Sequence, residues 1–328
     1  MTKRFTAENF NLSVTLESGQ LFRYHCSSDG FYHIVVGDSI IKIRQIGSRI
    51  EYICSSNSFD VKRFLGLNSS YSEILKSISR DEKITAAINK HYGLRILEQE
   101  PWECTASFIC SAFSNIPRIK QCIEKVSAAF GSRIEFDGFQ TFSFPQPQQI
   151  NDFSKLKRCG LGYRAPYLFE TARIFSNSNG IYSRQQIRKL SYADAKEKVM
   201  ELPGVGSKVA DCILLFSYGF FEAFPVDVWI HRAMTDMYGS ELRKFAAATK
   251  TKAKNPSRQR SQIGGSRLRS PAEAGLATGP SRNSDLGISE RAVADFARDY
   301  FGKYAGYAQQ FLYHNARTQQ KPIIYLTN

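Results

Sequence analysis

The hydrophobic rhythm of this 328-residue chain changes once. From Phe10 to about Ile53 it consists of short apolar runs, FYHIVV (31–36) and SIIKIRQI (39–46) among them, separated by the turn-forming SSDG and VGDS. Such runs predict antiparallel strands joined by tight turns. From about Ser58 onward, apolar residues recur three or four apart in YSEILKSI (71–78), ITAAINKHYG (84–93), ECTASFICSAF (103–113) and IKQCIEKVSAAFG (119–131). This spacing predicts helices, several of them ending near glycine. Strands followed by many helices predict an α+β fold, with an amino-terminal antiparallel sheet packed on a mostly helical body. The expected division is 1–98 for the sheet and the helices after it, 99–248 for a helical core, 249–288 for a loop, and 289–328 for a closing helix.

The loop stands out by composition. Residues 249–288 hold no aromatic residue and carry eight Lys or Arg against two acids, so a disordered basic tether is expected there. The whole chain has a formal net charge of +14, and an excess of eight remains without the loop. A basic body favours a polyanionic partner. Double-stranded DNA is preferred over a membrane surface, because no apolar run reaches bilayer length and no signal-peptide pattern opens the chain. An intracellular, monomeric protein is expected: nucleoid or cytoplasm in a prokaryote, nucleus in a eukaryote. The seven cysteines are scattered without a CxxC pair, which argues against a disulfide framework and against a zinc site.

Candidate chemistry is concentrated in SYADAKEKVMELPGVGSKVADCILLFSYG (191–219), which predicts a helix, a tight turn at Leu202-Pro203-Gly204-Val205-Gly206, and a second helix from about Ser207. In such a helix-hairpin-helix the turn amides and the second helix's amino end can hold a phosphate, and Gly204 and Gly206 let the sugar-phosphate chain come close. Alone, the motif indicates DNA binding and nothing more. Downstream, FPVDVWIHR places Asp227 just before a helical run, where it reads most simply as an N-cap. Hairpin and Asp together resemble the signature of the helix-hairpin-helix base-excision DNA glycosylases. Lys208 narrows the resemblance to members that also cut the abasic strand. An unprotonated amine there can attack the sugar C1′ as the base departs. The resulting Schiff base acidifies the C2′ proton, so that β-elimination can follow.

Four further segments extend the resemblance to the 8-oxoguanine DNA glycosylases of the eukaryotic type, over nearly the whole chain apart from the basic loop. LESGQLFRY (16–24) is similar to the family segment whose glycine, here Gly19, offers its carbonyl to the N7 hydrogen that oxidised guanine alone carries. SNIPRI (114–119) implies that Asn115 and Arg118 face the orphaned cytosine. CGLGYRAPYL (159–168) implies Tyr163 as a wedge entering the duplex and Arg164 as a second cytosine contact. GYAQQFLYHN (306–315) implies that Gln309 bonds the Watson–Crick edge of the extruded base, while Tyr313 stacks on one face and Cys212, one helical turn after Lys208, packs on the other. The resemblance requires no metal for catalysis; it allows a monovalent cation on the hairpin carbonyls near Val205. Two departures are visible. Phe113-Ser114-Asn115 stands where family members often have asparagines, and Trp229 where many have histidine. No role is assigned to His231.

The function so implied is a bifunctional glycosylase and lyase that excises 8-oxoguanine opposite cytosine, with Lys208 as nucleophile and Asp227 stabilising positive charge at the sugar. Two alternatives compete with it. One is a glycosylase of the same superfamily for alkylated or mismatched bases, although the branches with an iron-sulfur cluster need cysteines that this chain lacks after Cys212. The other is a DNA-binding protein without chemistry, in which Asp227 only caps its helix.

Overall fold

The computed structural model describes residues 2–254 and 287–319. Five antiparallel strands form the amino-terminal sheet: β1 (Lys3–Thr6), β2 (Tyr24–Cys26), β3 (Tyr32–Val36), β4 (Ser39–Ile46) and β5 (Arg49–Cys54), in the order β1-β5-β4-β3-β2. Alternation along β4 and its neighbours turns Ile34, Ile41, Ile43 and Ile50 to one face, where they pack with Leu12, Leu16, Phe64 and Leu97. Lys42 and Arg44 point the other way, over the ring of Phe31.

Two elements depart from the expected pattern. Leu12–Glu17 is a helix inside the region read as strands. Leu12, Thr15 and Leu16 are its buried positions, at helical spacing, and Asn11 caps it through a 3.1 Å bond from the Val14 amide to Asn11 Oδ1. Arg133–Phe136 and Phe139–Phe142 form a separate two-stranded hairpin. Its turn is Asp137-Gly138, both residues at positive φ (50° and 79°), the conformation that matches strand twist in a two-residue turn.

The helical body follows the sequence pattern closely, with helices at Tyr71–Ile78, Glu82–Lys90, Pro101–Ser111 and Ile116–Phe130. Every residue of Pro101–Ser111 is buried, which makes it the central helix of the body. The sheet is tied to it by a buried pair, Arg23 Nη1 to Glu103 Oε1 at 3.4 Å, with Glu103 Oε2 accepting from the Gly37 amide at 2.7 Å. A long helix, Val228–Lys254, kinks at Tyr238, so residues 249–254, expected in the basic loop, continue it. The rest of that loop, 255–286, lies outside the described residues. Helices Glu290–Phe301 and Ala305–Gln319 then pack back onto the body. Among the described residues no helix is long and apolar enough to cross a membrane.

Candidate active site

The hairpin forms as its glycines require. Helix Tyr192–Met200 leads into the turn and helix Ser207–Ile213 leads out. Gly204 has φ +79°, and a Cβ there would lie 2.7 Å from the Tyr167 Cβ, so both conformation and space demand glycine. Gly206 has no heavy atom within 4 Å of where a Cβ would stand. It is exposed and precedes the first turn of the second helix, so another backbone can approach there. Val205 between them is buried, its amide bonded to the Leu202 carbonyl at 3.1 Å. The two helices are locked by buried Asp211, which accepts from Tyr192 Oη at 2.5 Å and Lys196 Nζ at 2.7 Å. Burial pushes that carboxyl upward, and the two donors hold it back.

Lys208 is half-buried on the first turn of the outgoing helix, its Nζ 5.5 Å from the centre of the Phe108 ring. Phe108 belongs to the central helix. It meets Phe22 edge-on at 5.5 Å and stacks on Phe216 at 5.4 Å, so an aromatic floor drawn from three segments carries the amine. Cys212 lies one turn further and is fully buried. Burial pushes its thiol up to about 11, the Lys208 amine pulls it down, and the Asp227 carboxylate pushes it up. The thiol therefore lies within electrostatic reach of both the candidate nucleophile and the carboxylate. Asp227 also caps the helix it precedes, its Oδ1 accepting from the Ile230 amide at 2.9 Å. Capping and proximity to the site coexist in one residue.

The opposite wall comes from both ends of the chain. Gly19 has φ +84°, and a Cβ on it would stand 2.9 Å from Tyr313 Cε1 and 3.0 Å from Arg317 Nη1. Burial raises the Tyr313 phenol, with Asp227 and Cys212 adding to the rise and Arg317 opposing it. Tyr313 and Lys208 thus share the Cys212 thiol as an electrostatic neighbour. Gln309, one turn earlier, is buried; its Nε2 donates to the Pro225 carbonyl at 3.1 Å, and its Oε1 accepts from Gln310 Nε2 at 2.8 Å. Its carboxamide must exchange those partners to meet a base. The sequence did not point to Arg317 or Phe108. Arg317 sits four residues after Tyr313 with its guanidinium 5.4 Å from that ring, a spacing visible in the sequence without any motif to mark it.

The residues expected to face DNA lie along one rim. Asn115 caps helix Ile116–Phe130, its Oδ1 accepting from the Arg118 amide at 3.0 Å, and Arg118 itself is exposed. Tyr163 is exposed, its hydroxyl donating to the Ala112 carbonyl at 3.3 Å, and its ring meets Tyr167, the residue that crowds Gly204, edge-on. The rim and the hairpin therefore share one support. Arg164, expected to reach the cytosine, is instead buried, its guanidinium bonded to the carbonyls of Ala112, Phe113 and Leu161. Trp229 is partly buried, and His231 bonds the Ile288 carbonyl at 2.8 Å, a structural tie.

Known proteins resemble this chain over most of its length. Residues 3–105 match the family model for the 8-oxoguanine DNA glycosylase N-terminal domain, and residues 106–259 match that for HhH-GPD superfamily base excision DNA repair proteins. A probable N-glycosylase/DNA lyase of Methanothermobacter thermautotrophicus is 30% identical over 296 residues, covering 84% of this chain and 76% of the relative. Among solved structures, MBOgg1 in complex with a low-affinity DNA ligand superposes with a TM-score of 0.77 at 29% identity, covering 98% of this chain and 96% of the other. The Clostridium acetobutylicum 8-oxoguanine glycosylase/lyase, bound to double-stranded DNA with cytosine opposite 8-oxoG, gives 0.75 at 28% identity over 97% and 98% of the two chains.

Proposed function

Because the chain belongs to the 8-oxoguanine DNA glycosylases of the HhH-GPD superfamily, we propose that an 8-oxoguanine turned out of duplex DNA is received between the segments that carry Lys208, Cys212, Tyr313 and Gly19. The protein is a DNA glycosylase and abasic-site lyase. The observation that carries the assignment of roles is the gathering of four distant segments around Cys212, one turn from Lys208: Gly19 packs against Tyr313, and Tyr313, Asp227 and Lys208 each lie within electrostatic reach of the Cys212 thiol.

In this reading Lys208 attacks C1′ with its lone pair while the bond from C1′ to the base breaks, the electron pair leaving with the base. Asp227, close by and negative, offsets the positive charge that develops on the sugar. Opening of the sugar ring gives the protonated Schiff base. Its electron-withdrawing iminium allows the C2′ proton to be removed and the 3′ phosphate to depart, which cuts the strand. The aromatic floor under Lys208 supports this assignment, since it holds the amine of a half-buried side chain beside the Phe108 ring instead of in open water.

Discrimination falls to Gly19. Its carbonyl can accept the N7 hydrogen of 8-oxoguanine, and guanine, lacking that hydrogen, would leave the acceptor unpaired. Tyr313 and Cys212 would sandwich the base, and Gln309 would read its Watson–Crick edge. Arg118 and Asn115 would meet the orphaned cytosine. The Gly206 end of the hairpin would take a phosphate. A monovalent cation bridging to that phosphate would be held by hairpin carbonyls near Val205. The catalytic scheme itself calls on no metal.

The test is release of free base from matched duplexes. Duplex containing 8-oxoguanine opposite cytosine should be cleared under single-turnover conditions, whereas duplex with an alkylated purine at the same position should not. Preference for the alkylpurine would reject the reading.

A further inference from the structure

Phe113 is an unusual residue to find in water. It is 96% exposed, the most open of the large apolar side chains among the described residues, and its backbone lies at φ +49°, in the left-handed region that a residue with a bulky side chain avoids. Both features are unfavourable in the free protein, so the surrounding structure must impose them. It does. Arg164 is buried and directs its guanidinium at the carbonyls of Ala112 and Phe113, the latter at 3.0 Å, while the Tyr163 hydroxyl bonds the Ala112 carbonyl as well. On the other side of the loop, Asn115 starts a new helix. The ring is thus mounted on a braced loop, between the central helix that carries the floor under Lys208 and the exposed Arg118.

We propose that Phe113 is a second intercalating wedge beside Tyr163, entering the duplex in the space vacated by the extruded nucleotide, with Arg164 as its mount. The proposal rests on the reading of this chain as a glycosylase that turns its base out of the helix. Extruding a base sacrifices stacking, and an apolar ring inserted between the neighbouring pairs restores part of it. A phenyl ring has neither donor nor acceptor, and four of the five Arg164 N–H donors are directed at main-chain carbonyls. The wedge therefore fills the gap equally well beside any orphaned base. Discrimination for cytosine falls largely to Arg118, and 8-oxoguanine is released opposite all four bases at rates within about tenfold of one another.

The experiment compares wild type with Phe113→Ala, Phe113→Gly and Phe113→Trp. Stacking on a base is strong enough that Phe113→Ala should slow release of 8-oxoguanine about tenfold or more opposite every partner base. Its melting temperature should hold, because the ring buries almost nothing. Phe113→Gly should melt slightly higher than wild type, since glycine accepts the left-handed backbone, and should still be slow. The emission of Phe113→Trp, read against wild type, should change when a duplex with a stable abasic-site analogue is bound. A Phe113→Ala protein that releases base at the wild-type rate would overturn the proposal, as would Phe113→Trp emission indifferent to saturating duplex. Wild-type rates that favour cytosine by a hundredfold or more would overturn the specificity argument. If wild type releases no 8-oxoguanine at all, the substrate assignment is at fault, and the Phe113→Trp emission still decides the wedge.

Discussion

Gly19 shows how much can rest on a missing side chain. Its φ of +84° and the 2.9 Å approach to Tyr313 leave no room for even a methyl group. Phe22, three residues on, lies under the floor that carries Lys208. Gly19→Ala should therefore displace the Tyr313 ring and the carbonyl proposed to accept from the base. A misplacement on that scale typically costs about 100-fold in rate. Base release should fall by roughly that factor, while cleavage of a preformed abasic site, which needs no base in the pocket, should keep most of its rate; measuring both steps on the same preparation checks this. At this scale the sequence was informative where chemistry imposes a spacing, as with Lys208 and Cys212 one turn apart. It was silent where a role depends on distant partners. Nothing near Arg164 reveals that its guanidinium is turned onto the carbonyls of residues some fifty positions earlier. Arg317 carries no mark of its place beside Gly19.

Among the elements, Asp81 ties the amino-terminal helices to the kinked helix and to the carboxy-terminal pair. It caps helix Glu82–Lys90, and its carboxylate accepts from Tyr238, at the kink, at 3.0 Å and from Tyr300 at 2.8 Å. Burial would raise this carboxyl, but the Ile84 amide and the two phenols outweigh it and hold it below its ordinary value. A depressed carboxyl stabilises the fold above about pH 4, where it is ionised in both states, and loses that contribution as the pH falls further. Asp81→Ala should thus cost about 2 kcal/mol near neutrality, and the gap in melting temperature from wild type should narrow below about pH 4. Thermal denaturation across pH checks both. Boundaries of elements were legible to within a few residues wherever helical spacing was sustained, as in Ile116–Phe130. The six-residue helix Leu12–Glu17 was not, because so short a stretch with Val14 and Thr15 reads equally well as a strand. The hairpin at Asp137-Gly138 was not anticipated although its turn signal stands in the sequence.

Across the whole molecule the architecture gathers distant segments around Cys212. The turn between the first helix and β2 delivers Gly19, the central helix delivers Phe108, the hairpin delivers Lys208 and Cys212, and the last helix delivers Tyr313 and Arg317. Sequence motifs name most of these residues, but only the fold explains why segments nearly three hundred residues apart must be read together. The account stands or falls on a covalent bond between one amine and the sugar. Borohydride added while the enzyme works on 8-oxoguanine duplex should reduce the Schiff base and leave wild-type protein joined to DNA, with Lys208→Ala forming no such adduct although it still binds the duplex. An adduct formed by Lys208→Ala at the wild-type rate would contradict it.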